Sequence, residues 1–310
     1  MEITYVKHVD IDKKKWDHCI NNATNQLIYA YSYFLDAMSE TWDALVFNDY
    51  KMVMPLTWNK KYGISYLRQP AFSQQLGIFG SSSFDDNLIQ TFIDKAVEHF
   101  PFIEINLNFA NHNKSTTAIR CNLILPLNKS FAETEKDFKT DLVNNVKKAK
   151  KNNLVYESSD EIENASAHFK DAYSSRMNIT ERNYNNFLRL CFLLKDKSQI
   201  LVRNVNSIEG KLLATGLFLK DKRRIYNLMS TVFPEGRKLE ANHFLFYKLI
   251  EEFSMQDLIL DFEGSEIPGI NHFYRNFGSM EQNYFFVKIN KLPPIKWLLK
   301  STVDKYKSYL

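Results

Sequence analysis

Glycine is scarce in this chain: nine among 310 residues, well under the usual ~7%. Neither G-x-G-x-x-G nor G-x-x-x-x-G-K-[ST] occurs. Dinucleotide and P-loop phosphate cradles need those glycines for close backbone approach, so both are excluded. Cysteine is nearly absent too. Cys19, Cys121 and Cys191 stand far apart, which excludes a disulfide framework and zinc spacing. Reduced thiols and no metal site are the reading; Asp17-His18-Cys19 has no partner ligands at metal spacing. No apolar run approaches ~18 uncharged residues, so no membrane span is expected. Met1 to Trp16 carries charges throughout, which predicts no signal peptide and a cytoplasmic protein. No Ser-His-Asp or Cys-His pair stands out, so no covalent intermediate on a side-chain nucleophile is expected.

What is present is ordinary for a globular chain: 45% hydrophobic and 25% charged residues, with 14% aromatics that predict a ring-rich core. Net charge is +4, and residues 136–151 hold six lysines against Asp137 and Asp141, which accounts for all of it. A general nucleic-acid binder would be basic elsewhere as well, so no DNA partner is expected. Within the basic segment Phe138, Leu142, Val146 and Ala149 form one helical stripe, with the lysines off it.

Element order is more informative than composition. Strand 2–9 leads into helices Asp12–Ala23 and Tyr29–Glu40. Trp42–Phe47 and Lys51–Trp58, joined at Asn48-Asp49, read as a hairpin. Strand Tyr62–Leu67, a loop over 70–83, helix Asp85–His99, strand Phe102–Asn108 and a single strand Ala118–Leu125 complete the first half. The second half repeats the order. Strand Leu154–Glu157 precedes helices Glu161–Met177 and Tyr184–Lys195. Hairpin Ser198–Asn206/Lys211–Lys220, strand Arg223–Ser230, helix Leu239–Phe253, strand Leu258–Glu263 and a closing strand Glu281–Ile289 follow. A two-domain α/β chain with mixed sheets results, divided as 1–138 and 139–310, the second ending in a basic tail.

The stretch from Leu258 to Gly278 holds three of the nine glycines. Alternation puts Asp261 and Glu263 on one strand face, roughly 7 Å apart. A turn at Gly264-Ser265 and a helix from Pro268, where proline's missing N–H does no harm, follow.

Two motifs carry a family resemblance. Leu142-Val143-Asn144-Asn145-Val146-Lys147-Lys148-Ala149-Lys150-Lys151-Asn152 is similar to a basic segment of the Fem-type members of the GNAT acyltransferase superfamily. Leu260-Asp261-Phe262-Glu263-Gly264-Ser265, with Phe273-Tyr274-Arg275-Asn276-Phe277-Gly278, resembles the ending of many of those proteins. Fem-type relatives include peptidoglycan aminoacyltransferases and acetyltransferase-like proteins. The resemblance spans about Trp42 to Ile289. It implies two tandem GNAT-like domains, the first degenerate and serving the acceptor.

The activity implied is transfer of an acyl or aminoacyl group from acyl-CoA or aminoacyl-tRNA to an amine. The acceptor would be a small molecule or a cell-wall precursor, with charged tRNA as a candidate partner. The donor would lie between splayed strands Arg223–Ser230 and Leu258–Glu263. Asp261, Glu263 and Tyr226 are then the catalytic candidates. Gly236, Arg237, Lys238 and Asn242 would bind the donor, with Lys147 and Lys148 on phosphates. Asn227, Ser265, Tyr274 and Arg275 would line the acceptor side. Phe233 to Ala241 departs from the family's Q/R-x-x-G-x-G/A loop, having one glycine, which leaves acyl-CoA and aminoacyl-tRNA both open as donors. Two other readings remain: a binding module that kept the fold without the chemistry, and an RNA binder using Lys147–Lys151. The acidic strand ends could also simply cap turns.

Overall fold

The computed structural model describes residues 2–61, 63–264 and 266–292. The chain runs β1 (Ile3–Val6), α1 (Lys13–Asn22), α2 (Ser32–Met38), β2 (Thr41–Phe47), β3 (Met52–Lys61), β4 (Ile64–Arg68), β5 (Phe79–Gly80), α3 (Asp86–His99), β6 (Phe102–Leu107) and β7 (Thr116–Arg120). It continues through β8 (Leu123–Pro126), α4 (Phe131–Glu135), α5 (Thr140–Lys151), β9 (Val155–Ser159), α6 (Ile162–Tyr173), α7 (Glu181–Lys195), β10 (Ile200–Asn206) and β11 (Leu212–Lys220). It ends with β12 (Arg224–Val232), α8 (Pro234–Lys238), α9 (Ala241–Glu252), β13 (Ile259–Asp261), α10 (Pro268–Arg275), β14 (Met280–Glu281) and β15 (Tyr284–Asn290).

Two mixed sheets organise these elements. The first has the order β1-β2-β3-β4-β6-β15-β7, with β5 paired to β3; the second, written in the matching direction, is β9-β10-β11-β12-β13-β8-β14. Position by position the two agree, and in each a parallel pair lies at the same place: β4 with β6, and β12 with β13. The expected repeat of hairpin, strand, helix, strand is therefore present in both halves.

Membership differs from the division 1–138/139–310. One compact unit comprises the chain up to Ile119 together with the part from Tyr284 onward; the other is Arg120–Asn283. The expected single strand Ala118–Leu125 breaks at Cys121-Asn122 into β7 and β8, which join different sheets. The expected closing strand Glu281–Ile289 breaks as well. Its start is β14, paired to β8, and its remainder is β15, paired to β6 in the first sheet. Each sheet thus takes the strand beside its parallel pair from across the sequence midpoint. Both strands satisfy their neighbours' backbone groups equally well, so periodicity cannot assign them.

Burial follows the alternation. In the first unit Leu45, Met54, Leu67, Ile103, Ile105 and Val287 pack under Phe92 and Ile93 of α3. In the second unit Leu260 and Phe262 meet Leu142 and Val146 of α5, Phe246 of α9 and Tyr274 and Phe277. The aromatic excess becomes a ring cluster there: Phe262 stacks on Tyr274 at 4.7 Å, and Phe246 touches both Phe262 and Phe277. Among the described residues no helix is long and apolar enough to cross a membrane. The basic tail lies outside the described residues.

Candidate active site

Strand β12 begins at a turn built by Asp221. Its carboxylate accepts the N–H groups of Arg223 and Arg224, both at 2.8 Å, and the Tyr226 hydroxyl at 2.7 Å. This is the Asx turn that Asp favours. Burial pushes the Asp221 carboxyl upward, and those donors pull it back. Parallel pairing with β13 then lasts only three residues, from Arg224↔Ile259 to Tyr226↔Asp261. Strand β12 runs on to Val232 along β11, with one extra residue, Leu228, between the Phe218↔Asn227 and Leu217↔Met229 partners. Such a bulge re-aims side chains and adds twist.

Strand β13 leaves at the same point. Asp261 is the anchor: Arg224 Nη1 lies 2.8 Å from Oδ2, while Asn122 Nδ2 and the Glu263 N–H each donate to Oδ1 at 3.0 Å. The pair is almost wholly enclosed, with side-chain exposures of 4% and 1%. Glu263 sits at φ +60° and Gly264 at φ +42°. A Cβ on Gly264 would lie 2.3 Å from the Cys121 carbonyl oxygen, so only glycine fits. Glu263 has no such exemption; its left-handed conformation costs roughly 1–2 kcal/mol. Strain held on a polar residue at a strand end is where function is to be sought.

The two strands thus open a gap beyond Tyr226/Asp261, and three polar groups belong to it. Glu263 carries a buried Oε1 without a hydrogen-bond partner among the described residues. Burial pushes its carboxyl up to about 8. Tyr274 enters from α10, and Asn227 Nδ2 donates to its hydroxyl at 2.9 Å. Burial raises the Tyr274 hydroxyl; Asn227 and Ser230 oppose that, while the charges of Tyr173 and Glu263 add to it. Asn227 itself is buried, with Oδ1 unpartnered among the described residues. A carboxylate of raised basicity, a tyrosine hydroxyl and an unused amide oxygen can together take a proton, donate one and orient an amine.

Of the expected site residues, the fold brings Glu263, Tyr274 and Asn227 together. Tyr226 is fully buried, with its hydroxyl on Asp221. Asp261 is committed to Arg224, Asn122 and the turn. The alternation that paired it with Glu263 ends at Asp261, because the next turn is left-handed. Arg275 is held by Asn271 Oδ1 at 2.6 Å and by Glu281. Lys148 pairs with Glu240 at 3.0 Å, and Lys147 is exposed on α5. Asn242 lies in the first turn of α9, its Oδ1 buried and unpartnered among the described residues. Ser265 lies outside the described residues. Ser230, Tyr173, the Asp221 turn and the Arg224 and Asn122 partners of Asp261 were not anticipated; the one available signal was a charged pair, Asp221 and Arg224, bordering an apolar strand.

The expected donor loop is a helix. In α8 the N–H of Arg237 bonds to Phe233 O at 3.0 Å, that of Leu239 to Glu235 O at 3.2 Å, and that of Glu240 to Arg237 O at 3.4 Å. These groups are therefore consumed within the chain instead of being presented to a pyrophosphate. Gly236 serves packing: a Cβ there would lie 2.1 Å from Leu213 O. Arg237 and Lys238 are exposed on this helix.

In the first unit the matching gap is filled. Parallel pairing of β4 and β6 ends at Arg68↔Glu104. The following segment then doubles in beside β6: Leu76 N–H bonds to Asn106 O at 2.8 Å, and Asn108 N–H to Leu76 O at 2.7 Å. Carboxamides fasten it. Gln69 Oε1 and Gln75 Oε1 accept the N–H groups of Asn106 and Phe109, each at 3.1 Å. Asn111 Oδ1 accepts that of Ile78 at 2.7 Å, and the Asn25 and Asn108 amides both donate to Ile78 O.

No protein-family model and no curated protein sequence matches the chain. Solved structures do. The crystal structure of FemX is matched with a TM-score of 0.66 at 14% identity, over 96% of this chain and 99% of that one. A conserved protein of unknown function from Bacteroides thetaiotaomicron gives 0.59 at 9% identity, over 93% and 100%. The C-terminal domain of a putative lysylphosphatidylglycerol synthetase from Agrobacterium fabrum gives 0.54 at 11% identity, over 94% and 96%. The chain therefore shares the fold of the FemX structure over nearly its whole length.

Proposed function

We propose that the protein is an N-acyltransferase whose chemistry occurs in the gap between β12 and β13. The observation that carries this reading is Glu263: a carboxyl of raised basicity, its Oε1 buried and unpartnered among the described residues, held in a strained turn at the mouth of the gap. The acceptor amine attacks the donor's acyl carbon, and the new C–N bond forms as the bond to the carrier breaks. Glu263 takes the proton that the amine gives up. The carrier oxygen or sulfur leaves with a proton from water or from the Tyr274 hydroxyl. Asn227 Oδ1 is placed to accept from the incoming amine.

Aminoacyl-tRNA is the donor favoured over acyl-CoA. The consumed N–H groups of α8 support this choice, since a CoA pyrophosphate would have to be held without them. The acceptor is an amine on a small molecule or a cell-wall precursor. Transfer from a mixed pool of aminoacyl-tRNAs, and separately from acyl-CoAs, to amine acceptors tests the proposal. Wild type should transfer from the former, and Glu263→Gln should not. Transfer only from acyl-CoA would overturn the donor assignment, and full turnover by Glu263→Gln would overturn the base.

A further inference from the structure

In the first unit, helix α3 lines a groove of about 630 Å³ that extends from Asp85 to Glu98. Asp85 caps the helix by accepting the Leu88 N–H at 2.7 Å, and Glu98 lies in the last turn. The apolar lining is Ile3, Phe47 and Leu88, all three packed against the core of this unit. The charged lining is acidic: Glu2, Asp85, Asp94 and Glu98 against Lys95 alone. Lys95 is engaged by Glu98 at 2.8 Å. Glu2, Asp85 and Asp94 make no ion pair among the described residues. Apolar side chains bordered by charge of one sign suit an amphipathic helix of the opposite sign.

The chain delivers such a segment to one end of the groove. Strand β15 pairs with β6 as far as Asn290↔Phe102, and the Lys291 N–H then donates to Pro101 O at 2.7 Å. Pro101 follows closely on α3, which ends at His99, so the chain leaves the sheet beside the turn that carries Glu98. Pro293 and Pro294 have no N–H with which to continue the ladder. In the sequence beyond them Ile295, Leu298, Leu299, Val303 and Tyr306 fall at i, i+3, i+4, i+8 and i+11, the spacing of one helical stripe. Lys296, Lys300, Lys305 and Lys307 stand against Asp304 alone, so the segment is basic where the groove is acidic. Length matches too. The 14 residues of α3 span about 21 Å, and residues 295–310 at the same rise would span about 24 Å.

We propose that residues 295–310 dock in this groove as an amphipathic helix antiparallel to α3. Ile295, Leu298 and Leu299 then meet the apolar lining, Lys296 lies toward Glu98 and Lys300 toward Asp94. Tethering beside the groove gives the segment an effective concentration in the mM range, so a small interface is enough to hold it. The proposal draws on nothing in the acyl-transfer reading.

Hydrogen exchange of the full chain, read by mass spectrometry, tests it. In wild type the amides of residues 296–310 should exchange about tenfold or more slower than in a free peptide of the same sequence. Asp94→Lys with Glu98→Lys, both exposed positions, should remove that protection while the amides of α3 keep theirs. Adding Lys296→Glu and Lys300→Glu to that variant should restore it. No protection in wild type, equal protection in the groove variant, or a loss that the charge exchange does not rescue would overturn the proposal. So would protection that grows with protein concentration, which would give the groove to a second copy, or protection seen only on anionic vesicles, which would give the segment to a lipid surface.

Discussion

The two sheets share strand order and the place of their parallel pair, yet they treat the space beyond that pair in opposite ways. In the first unit, residues 69–80 fold into it and are fastened by Gln69, Gln75, Asn108 and Asn111. In the second unit no segment among the described residues pairs beside β13 in that way. Instead the chain turns left-handed at Glu263, above the Arg224–Asp261 anchor, and leaves a carboxyl unsatisfied among the described residues. The same topology therefore yields a stability element in one half and a candidate site in the other. The difference is made by side-chain amides that pair backbone groups against a carboxylate left without a partner.

The largest effect should come from removing that asymmetry at its source. Glu263→Gln keeps the shape of the turn and removes the base; acyl transfer should fall by about 10²–10⁴-fold, measured as single-turnover rate beside an unchanged circular-dichroism spectrum. Next is the anchor. Arg224→Ala leaves Asp261 buried without its ion-pair partner, and denaturant unfolding should show a loss of about 3–5 kcal/mol.

The third prediction concerns pH. The Glu263 carboxyl stands at about 8 in the fold against an ordinary 4.5, so folding favours its protonated form. Its contribution is complete below pH 4.5 and declines as pH rises through 8. Wild type should lose on the order of 3–5 kcal/mol relative to Glu263→Gln across that window, as chemical denaturation at several pH values would record. The smallest effect belongs to the filled gap. Asn108→Ala strips the Nδ2–Ile78 O hydrogen bond from the inserted segment and should cost about 1–3 kcal/mol with transfer rates unaltered. A large rate loss in that variant would erase the functional contrast between the units.

Much of this fold is legible from residue pattern, for identifiable reasons. The β2–β3 and β10–β11 hairpins and the amphipathic α3 and α5 follow from local periodicity, which burial enforces. Exchange of β8 and β15 between sheets does not: Ala118–Leu125 reads as one strand because pairing partners leave no mark on alternation. Segment 70–83 reads as a loop, since carboxamides fastening a backbone look like any polar loop. At the site, Asp261 and Glu263 are indistinguishable two residues apart on a strand. Only the Asp261–Glu263 N–H bond and the Arg224 partner separate anchor from base. Tyr274 was identifiable through the family resemblance. Ser230 and Tyr173 were not, since a bulge at Leu228 and the end of a helix bring them in.

The most direct test is the pH dependence of transfer at saturating donor and acceptor. With Glu263 as the base, the wild-type rate should rise tenfold per pH unit below about 8 and level off above it, and in Glu263→Gln that limb should vanish, leaving a low, flat profile. The same limb in both proteins would contradict the assignment of Glu263 and, with it, the contrast between the open and the filled gap.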